Sequence, residues 1–402
     1  MIRDETTAFM DATEEQGTDV SRFVDLTQHE IEALRTKHNL ADAHTHQRQS
    51  PTQEQIVRQL PELWRESEDT LQEFHEKRFL KAFFELHGQP TAAAMSKTLL
   101  SYSASVSTMV AAMYLQQRNM SVSLVTPCFD NLIDLLRHMG VELSSFPEES
   151  LHDVAHLYER MSAVETDAVY LVDPNNPTGF TLLKDGTSGF AELIRWCKDN
   201  DKLLIMDFCF ASFVLCSENL DRVDIYRMLE ESGVSYLAIE DTGKTWPVQD
   251  AKCAMITASE DIREAIYNIH TAVLLNVSPF VLNFLTSYVR DSIDDGFASV
   301  RDVISENRAA ARAALSGTVL DYVEPVVDTS VAWFRINRPG LTSTELQARL
   351  FEHEIYVLAG TFFYWDDPQK GERYIRIALA RRPAEFAAAM AAMTKALSDY
   401  AR

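Results

Sequence analysis

The sequence predicts an α/β fold with a doubly wound, mostly parallel sheet and a second, smaller α/β region towards the C-terminus. Short apolar runs of the length of buried strands recur through the middle of the chain, at 121–125, 168–172, 203–206, 235–239 and 253–257. Helical segments lie between most of them, at 129–138, 190–198 and 225–231. Strands that alternate with helices favour a mostly parallel sheet, with its ligand site at the carboxyl ends of the strands.

The length of the chain and its remaining elements predict two domains and an N-terminal arm. A chain of 402 residues is longer than a single core usually serves. Long helices are predicted at 278–294 and 299–314, followed by strands at 330–336 and 374–378 and helices at 344–352 and 383–397. We therefore predict an arm over residues 1–50, a large domain over 51–292 and a small domain over 293–402.

Local signals place three helices ahead of the alternating region. Thr27 and Glu30 have the spacing of a capping box, which predicts a helix from there to about residue 38. The Ser-Pro-Thr-Gln run at 50–53 opens a second helix, with proline at its first position. A third amphipathic stretch runs to residue 86 and is closed by Gly88. Residues 1–22 are polar and acidic without periodicity, so we expect them to be disordered.

Composition excludes several classes of partner. The net charge of −23 argues against nucleic acid or an anionic membrane surface and is compatible with a cationic substrate. No apolar run is long enough to span a bilayer, and the first residues lack the pattern of a signal peptide. The five cysteines form no C-x-x-C pair and are expected to be reduced thiols. We expect a cytoplasmic protein.

Three polar residues placed after successive apolar runs predict a site for pyridoxal phosphate (PLP). Lys244 follows the run at 235–239, Asp207 ends the run at 203–206, and Asn176 follows the run at 168–172. A lysine can form a Schiff base with the cofactor, a buried aspartate can keep its pyridine nitrogen protonated, and an asparagine can hydrogen-bond its ring hydroxyl. Taken alone, Asp207 could equally be a turn or helix-capping residue, but the ordered set favours the cofactor.

Further residues suit the other parts of the cofactor and the substrate. Ser103 and Ser105 precede a helical stretch predicted from residue 107, whose N-terminus can bind the phosphate, although serine caps are common in any helix. Lys252 could supply a cation to the phosphate or be a solvated lysine, and Phe129 could stack on the pyridine or lie in the core. Arg376 interrupts an apolar strand, where it would clamp a substrate carboxylate or form a structural ion pair.

In this order the asparagine, aspartate, lysine and arginine resemble those of fold type I PLP-dependent enzymes, the aspartate aminotransferase superfamily. The resemblance covers roughly residues 95–395 and implies an aspartate aminotransferase-like large domain that binds PLP and a small α/β C-terminal domain. Three positions depart from the usual pattern. Phe210 replaces a tyrosine, Asp241 replaces a small hydroxyl residue, and Lys252 replaces an arginine. These departures disfavour ordinary transamination.

Almost the whole chain is similar to the oxygen-using L-arginine oxidases and hydroxylases of antibiotic biosynthesis, from the enduracididine, azomycin and indolmycin pathways. The segments that carry the similarity are LTQHE at 26–30, NLADAH at 39–44, QSP at 49–51, CFDN at 128–131 and EDTGKTWP at 240–247. Generic aminotransferases lack this N-terminal arm. The resemblance implies PLP as cofactor, dioxygen as co-substrate, L-arginine as substrate, and a homodimer.

The same resemblance assigns roles to the arm, which would close over bound substrate as an active-site lid. Thr27 and Glu30 would contact the guanidinium, and Asp42 and His44 would enter the site. Asp241 would be a further carboxylate for the guanidinium, and a planar cation with five donors suits several carboxylate oxygens. Asn175, beside Asn176, is also predicted to contact the substrate. His44 would manage protons while oxygen takes electrons, and Lys244 would remove the Cα proton.

Several alternatives stay open at this point. The D-x-H-x-H pattern at 42–46 could ligate a metal, but no further Cys/His cluster completes a site, so we predict none. The product could be 4-hydroxy-2-oxo-5-guanidinovalerate, 2-oxoarginine or a 4,5-dehydrogenated imine. An arginine aminotransferase, a cyclising PLP enzyme and a binding module that keeps the fold are the rival interpretations.

Overall fold

The computed structural model describes residues 25–217, 219–220 and 223–400. The disorder expected for residues 1–22 lies outside the described residues. The helices, in chain order from α1 to α16, are Leu26–Ala33, Pro51–Arg58, Leu60–Asp69, Gln72–Leu86, Pro90–Ala94, Ala104–Gln117, Asp130–His138, Val154–Met161, Ser188–Asp199, Ile225–Ser232, Glu260–Val273, Pro279–Asp294, Ala298–Leu315, Ser343–Phe351, Pro368–Gly371 and Pro383–Leu397.

The strands form one large and one small sheet, with one short extra pairing. From β1 to β13 they are His38–Asn39, Thr98–Ser101, Val122–Thr126, Leu143–Pro147, Ala168–Val172, Leu203–Asp207, Tyr236–Asp241, Ala254–Ala258, Leu320–Val323, Val331–Ile336, Ile355–Tyr356, Leu358–Ala359 and Tyr374–Ala378. The seven-stranded sheet has the order β2-β8-β7-β6-β5-β3-β4, and the four-stranded sheet has the order β12-β13-β10-β9.

The large sheet confirms the predicted mostly parallel α/β fold. Strands β4, β3, β5, β6 and β7 pair in parallel, whereas β8 runs antiparallel to both β7 and β2. Strands β3, β5, β6, β7 and β8 are buried along their whole length, as their apolar runs predict. Residues 242–253, which join β7 to β8 and are all described, contain no helix. A parallel return usually needs a helical crossover, so β8 comes back antiparallel.

The small sheet is antiparallel throughout and draws its strands from residues 320–378. The N-terminal arm is tied to this side of the molecule. Strand β1 pairs in parallel with β11, and the backbone N–H of His46 donates to the carbonyl of Ala380. The described part of the arm therefore packs against the C-terminal part of the chain. The predicted domain boundary at residue 292 falls in the last turn of α12.

One predicted helix start is wrong. Helix α1 begins at Leu26 with Asp25 as its N-cap, whose carboxylate accepts a hydrogen bond of 2.8 Å from the backbone of Gln28, so Thr27 lies inside the helix. The helix also ends at Ala33 rather than near residue 38, because the chain must be extended at β1. The capping box at Ser50 is confirmed: its hydroxyl accepts from the backbone of Gln53, whose side chain accepts from the backbone of Ser50.

Some elements were not predicted from the sequence. The edge strands β2 and β4 and the helices α8 and α11 were absent from the expected segments, and β4 carries two serines in place of an apolar run. Among the described residues, no helix is both long and apolar enough to cross a membrane.

Candidate active site

Three strands of the large sheet bring the predicted cofactor residues together at their carboxyl ends. Asn176 follows β5, Asp207 ends β6 and Lys244 follows β7, and all three line one cavity of about 300 Å³. Parallel strands place their carboxyl ends at the same edge of a sheet, which explains the convergence. The same cavity is lined by Phe129, Ser103 and Ser105 and, from the arm, by Thr27, Glu30 and His44.

Asp207 is buried between neighbouring strands. It pairs in register with Val172 on one side and Ile239 on the other, and its carboxylate accepts a hydrogen bond of 2.9 Å from the backbone of Cys209. Burial raises the pKa of Asp207 to about 6, and the negative charge of Asp241 adds to the rise. A buried carboxyl of this kind is stabilised in its charged form by a cation. A protonated pyridine nitrogen is such a partner, so Asp207 fits the role predicted for it.

Lys244 lies half-buried in the turn between β7 and β8. The turn is held by Thr242, whose hydroxyl donates to the carbonyl of Cys253 at 3.0 Å and accepts from the backbone of Cys253 at 2.9 Å. Gly243 permits a close approach: a Cβ atom there would lie 2.8 Å from Cδ of Lys252 and 3.1 Å from Oδ1 of Asp241. The turn therefore places an amine in the cavity within reach of the sheet edge.

The N-terminus of α6 opens onto this cavity. Ser103 is the N-cap of the helix, and Ser105 lies in its first turn. The carboxylate of Asp241 accepts from the backbone of Ala104 at 3.2 Å and from the backbone of Gly243 at 2.6 Å. Asp241 thus lies beside the helix N-terminus at which the phosphate is predicted to bind, while still lining the cavity. Its predicted contact with a guanidinium stays a prediction.

Lys252 and Phe129 also reach the cavity. The ammonium of Lys252 lies 3.2 Å from Oδ1 of the exposed Asp250. Phe129 immediately precedes α7, and the guanidinium carbon of Arg376 lies 5.9 Å from the centre of its ring. Phe210 is buried in the cavity lining, so no hydroxyl is presented at the position where a tyrosine is usual.

Arg376 lies on β13 beneath the arm. Its side chain is 0% exposed, and its guanidinium donates to Glu30 at 3.1 Å, to Asn176 at 3.2 Å and to the backbone carbonyl of Ala41. The arm therefore covers the residue that is predicted to clamp the substrate carboxylate. Glu30, which is predicted to bind the substrate guanidinium, contacts that clamp in this structure.

Thr27 and His44 approach the cavity from the same arm. The hydroxyl of Thr27 accepts a hydrogen bond of 3.3 Å from the side-chain amide of Asn131, and Nε2 of His44 lies 3.9 Å from Oδ1 of Asp250. Asp42 does not enter the cavity as predicted. It is buried behind His44, because its carboxylate binds the imidazoles of His44 and His46.

Asn175 is also placed differently from the prediction. Its side-chain amide donates to the carbonyl of Pro127 at 2.9 Å and to Glu148 at 2.5 Å, so it is turned away from the cavity. The two residues open a turn in which the carbonyl of Asn175 accepts from the backbone N–H of Gly179 at 2.8 Å, so their side chains diverge. Asn176 faces the cavity, and Asn175 holds the loop together.

Sequence reasoning missed several lining residues. Asn131, Leu132 and Cys209 line the cavity but were not predicted to do so. Asn131 lies in the first turn of α7, three residues after the buried Cys128. Because it follows a strand of the sheet, it could have been predicted to lie near the cavity. Within the described residues, no group of three or more His, Cys, Asp or Glu side chains is arranged to hold a metal ion.

These features define a site of the kind found in PLP-dependent enzymes with an aspartate aminotransferase-like fold. The buried Asp207 suits the pyridine nitrogen, Lys244 the aldehyde, Asn176 the ring hydroxyl, and the N-terminus of α6 the phosphate. Residues 40–393 match the family model of class I and II aminotransferases. The chain belongs to this family, and the predicted fold type is confirmed.

Solved structures place the chain further within the family. The structure of MppP soaked with the product 2-ketoarginine is 33% identical, with a TM-score of 0.80 over 89% of this chain and 99% of that chain. LysN, an α-aminoadipate aminotransferase from Thermus thermophilus, is 15% identical with a TM-score of 0.74, over 94% of this chain and 95% of its own. At that identity LysN supports the fold alone. The similarity to MppP agrees with the resemblance to arginine-processing enzymes.

Among curated proteins, the histidinol-phosphate aminotransferase of Sulfurimonas denitrificans is 24% identical over 102 residues. The matched stretch spans 25% of this chain and 27% of that relative. It therefore supports common ancestry of part of the fold and says nothing about substrate.

Proposed function

We propose that this protein catalyses the PLP- and O₂-dependent oxidation of L-arginine in the biosynthesis of a specialised metabolite such as an antibiotic. The products would be 4-hydroxy-2-oxo-5-guanidinovalerate, 2-oxoarginine or both, with release of ammonia; a 4,5-dehydrogenase is a variant of the same chemistry. The observation that carries the proposal is the position of the arm. It brings the carboxylate of Glu30 into the cavity of an aminotransferase fold that is 33% identical to MppP.

The charges of the site suit an amino acid with a cationic side chain. Arg376 would bind the α-carboxylate in a bidentate pair, and Glu30 and Asp241 would receive the guanidinium. Glu30 contacts Arg376 in this structure, so a bound carboxylate has to replace it. Once displaced, the carboxylate of Glu30 needs a new cation, because an unpaired charge at a buried site is costly. A substrate that carries both a carboxylate and a guanidinium satisfies both groups at once.

The chemistry is divided among residues of the chain. When bound, PLP withdraws electrons from the Cα–H bond of the amino acid. Lys244 would take the Cα proton, Asp207 would keep the pyridine nitrogen protonated, and His44 would exchange protons at the side-chain end. For simple oxidation, arginine, dioxygen and water give 2-oxoarginine, ammonia and hydrogen peroxide. Hydroxylation at Cγ removes two further electrons, which a second dioxygen can accept, and takes its hydroxyl oxygen from water.

Phe210 supports oxidation over ordinary transamination. A phenyl ring cannot donate the hydrogen bond that a tyrosine would give to the ring oxygen of the cofactor, so that oxygen is stabilised differently from the usual site. An arginine aminotransferase or a cyclising PLP enzyme is the alternative, and it shares Lys244, Asp207 and Arg376.

We further propose that the protein acts as a homodimer. Three exposed apolar or aromatic side chains, Leu71, Tyr102 and Leu275, lie on or beside the segment that joins α11 to α12. Leu275 belongs to this segment, and the hydroxyl of Tyr102 accepts from the backbone of Ser278. Leu71 is next to Gln72, whose side chain donates to the carbonyl of Val277. Tyr102 adjoins the N-cap of α6, so this surface borders the cavity. Exposed apolar clusters of this kind are typical of subunit contacts.

The test is product analysis. The PLP-loaded protein is incubated with L-arginine in air without any oxo acid, and the products are identified by mass spectrometry. A product one oxygen atom heavier than 2-oxoarginine would establish hydroxylation, and 2-oxoarginine with peroxide would establish simple oxidation. Turnover that begins only when an oxo acid is added would overturn the proposal in favour of an aminotransferase.

A further inference from the structure

The carboxylate of Asp42 lies between two imidazoles. Its Oδ1 is 2.5 Å from Nδ1 of His44 and 2.8 Å from the backbone nitrogen of His44, and its Oδ2 is 2.5 Å from Nε2 of His46. Asp42 is 2% exposed, whereas about a third of each imidazole remains accessible. One buried charge is therefore shared by two histidines that lie on opposite sides of it.

The two histidines face different spaces. His44 lines the active-site cavity, with Nε2 directed towards the exposed Asp250. His46 lines a separate cavity of about 430 Å³ on the side of the arm that faces α16. Asp42 lies between these two spaces and contacts both imidazoles through its two carboxylate oxygens.

Hydrogen-bond chemistry fixes the tautomer of each ring. Burial would raise the pKa of Asp42, but the hydrogen bonds from His44 and His46 outweigh burial and hold that pKa well below its ordinary value. An ionised carboxylate only accepts, so His44 must donate through Nδ1 and His46 through Nε2. Whenever His44 is neutral, its remaining Nε2 then carries the lone pair on the cavity side. A proton cannot pass through Asp42 to Nε2 of His46, because that nitrogen already carries a hydrogen.

We propose that Asp42 and His46 are positioning residues for His44: Asp42 accepts from Nδ1 and so fixes the tautomer and orientation of the ring, and His46 donates to the second oxygen of Asp42 and so holds that carboxylate against His44. The role of His44 in the reaction rests on the proposed function. The positioning of His44 by Asp42 and His46 does not. A histidine can accept a proton in the cavity only if its unprotonated nitrogen faces that space, and a carboxylate held behind the ring keeps Nε2 there.

Other charged side chains lie on both sides of Asp42, His44 and His46. On the cavity side, Asp250 and Lys252 form an ion pair of 3.2 Å near His44, with Asp241, Lys244 and Glu30 also lining the cavity. On the other side, Lys37, His38, Arg381 and Glu385 line the cavity of His46. Arg381 is buried and donates to the backbone carbonyls of Asn39, His44 and Asp42, so it holds the segment in place and contributes a positive charge beside Asp42.

The test measures the imidazoles directly, by ¹⁵N NMR of histidine-labelled protein over a range of pH, without substrate. The variants are His46→Phe, which removes the competing donor, and His46→Gln, which keeps an N–H at the same place. Without the second donor the carboxylate of Asp42 is held less firmly against His44. The share of the Nδ1–H tautomer of neutral His44 should therefore fall in His46→Phe and stay near the wild-type value in His46→Gln. His156, exposed beside Asp153, serves as the internal reference.

A second variant tests the role of Asp42. In Asp42→Asn the Nδ1–H tautomer of His44 should lose its preference, because an amide can donate to Nδ1 as well as accept from it. The resonance of His44 is assigned by its loss in His44→Asn. An unchanged share of the Nδ1–H tautomer of His44 in His46→Phe or in Asp42→Asn, or an equal fall in His46→Gln, would overturn the inference. These readouts do not depend on turnover, so they separate this inference from a failure of the proposed reaction.

Discussion

Replacement of Glu30 by glutamine should reduce the preference for arginine over an uncharged amino acid of similar length. Glu30 lies 3.1 Å from Arg376, with side-chain exposures of 12% and 0%, so the two form a largely buried charge pair. When norleucine binds Arg376 through its carboxylate, Glu30 is displaced and finds no cation. When arginine binds, its guanidinium replaces Arg376 as the partner of Glu30. The wild-type protein should therefore reject norleucine mainly because of the unpaired Glu30.

The magnitude follows from the cost of leaving a buried charge without its partner, which is about 2–5 kcal/mol. Since each 1.4 kcal/mol corresponds to a factor of ten, the ratio of kcat/KM for arginine to that for norleucine should fall by roughly 30-fold or more in Glu30→Gln. The kcat/KM values for both amino acids should change. The value for arginine falls because the guanidinium loses a charged partner, and the value for norleucine rises because Arg376 is no longer covered by a carboxylate.

The assay is steady-state ammonia release with each amino acid, under air and without an oxo acid. Glu32→Gln is the matched control: it lies on the same helix, pairs with Arg35 at 3.2 Å and does not line the cavity. It should leave the ratio unchanged. If Glu30→Gln lowers kcat/KM equally for both substrates, or leaves the preference for arginine intact, the reasoning about this exchange of ion pairs is refuted.

Three further changes test other parts of the structure. Asp207→Asn should retain the cofactor but lower turnover on the order of a hundredfold, since an amide cannot keep the pyridine nitrogen protonated; absorbance of the bound cofactor and ammonia release measure the two effects. Gly243→Ala should lower Tm, because its Cβ would lie 2.8 Å from Cδ of Lys252, and the loss should shrink in a Lys252→Ala background. Burial and the charge of Asp207 raise the pKa of Glu240 from 4.5 to about 8, so stability should fall as pH rises between those values. Urea unfolding should find Glu240→Gln more stable at pH 8, by up to roughly 4 kcal/mol, and equal to wild type near pH 4; a constant difference across that range would refute the assignment.

The cofactor side of the site could be predicted because it depends on sheet topology. Once 168–172, 203–206 and 235–239 are assigned as neighbouring parallel strands, Asn176, Asp207 and Lys244 must meet at one edge. The same reasoning predicted the strands to within about two residues, because fully buried strands are continuous apolar runs.

Side-chain direction in loops and on the arm could not be predicted in this way. Asn175 and Asn176 are chemically identical, and only the packing of Pro127 and Glu148 decides which of them turns away from the cavity. Asp42 was expected in the site, but the two histidines that follow it draw its carboxylate behind His44. The direction of β8 was likewise decided by the length of a connection rather than by a pattern within the strand.

The sequence allowed a structural ion pair at Arg376, but it did not identify Glu30 as the partner. Glu30 and Arg376 lie 346 positions apart, and each was assigned a role towards substrate. Nothing in either motif indicates that they pair with one another. The pairing depends on the arm being fixed through β1 and β11, a strand contact of two residues each that carries no sequence signal.

An oxygen electrode can show whether the PLP-loaded protein consumes oxygen when L-arginine is added in the absence of any oxo acid. If arginine is oxidised as proposed, oxygen uptake requires arginine, accompanies ammonia release and is abolished in Lys244→Ala. An absence of oxygen uptake, together with turnover of arginine under nitrogen once an oxo acid is supplied, would contradict the proposed oxidation.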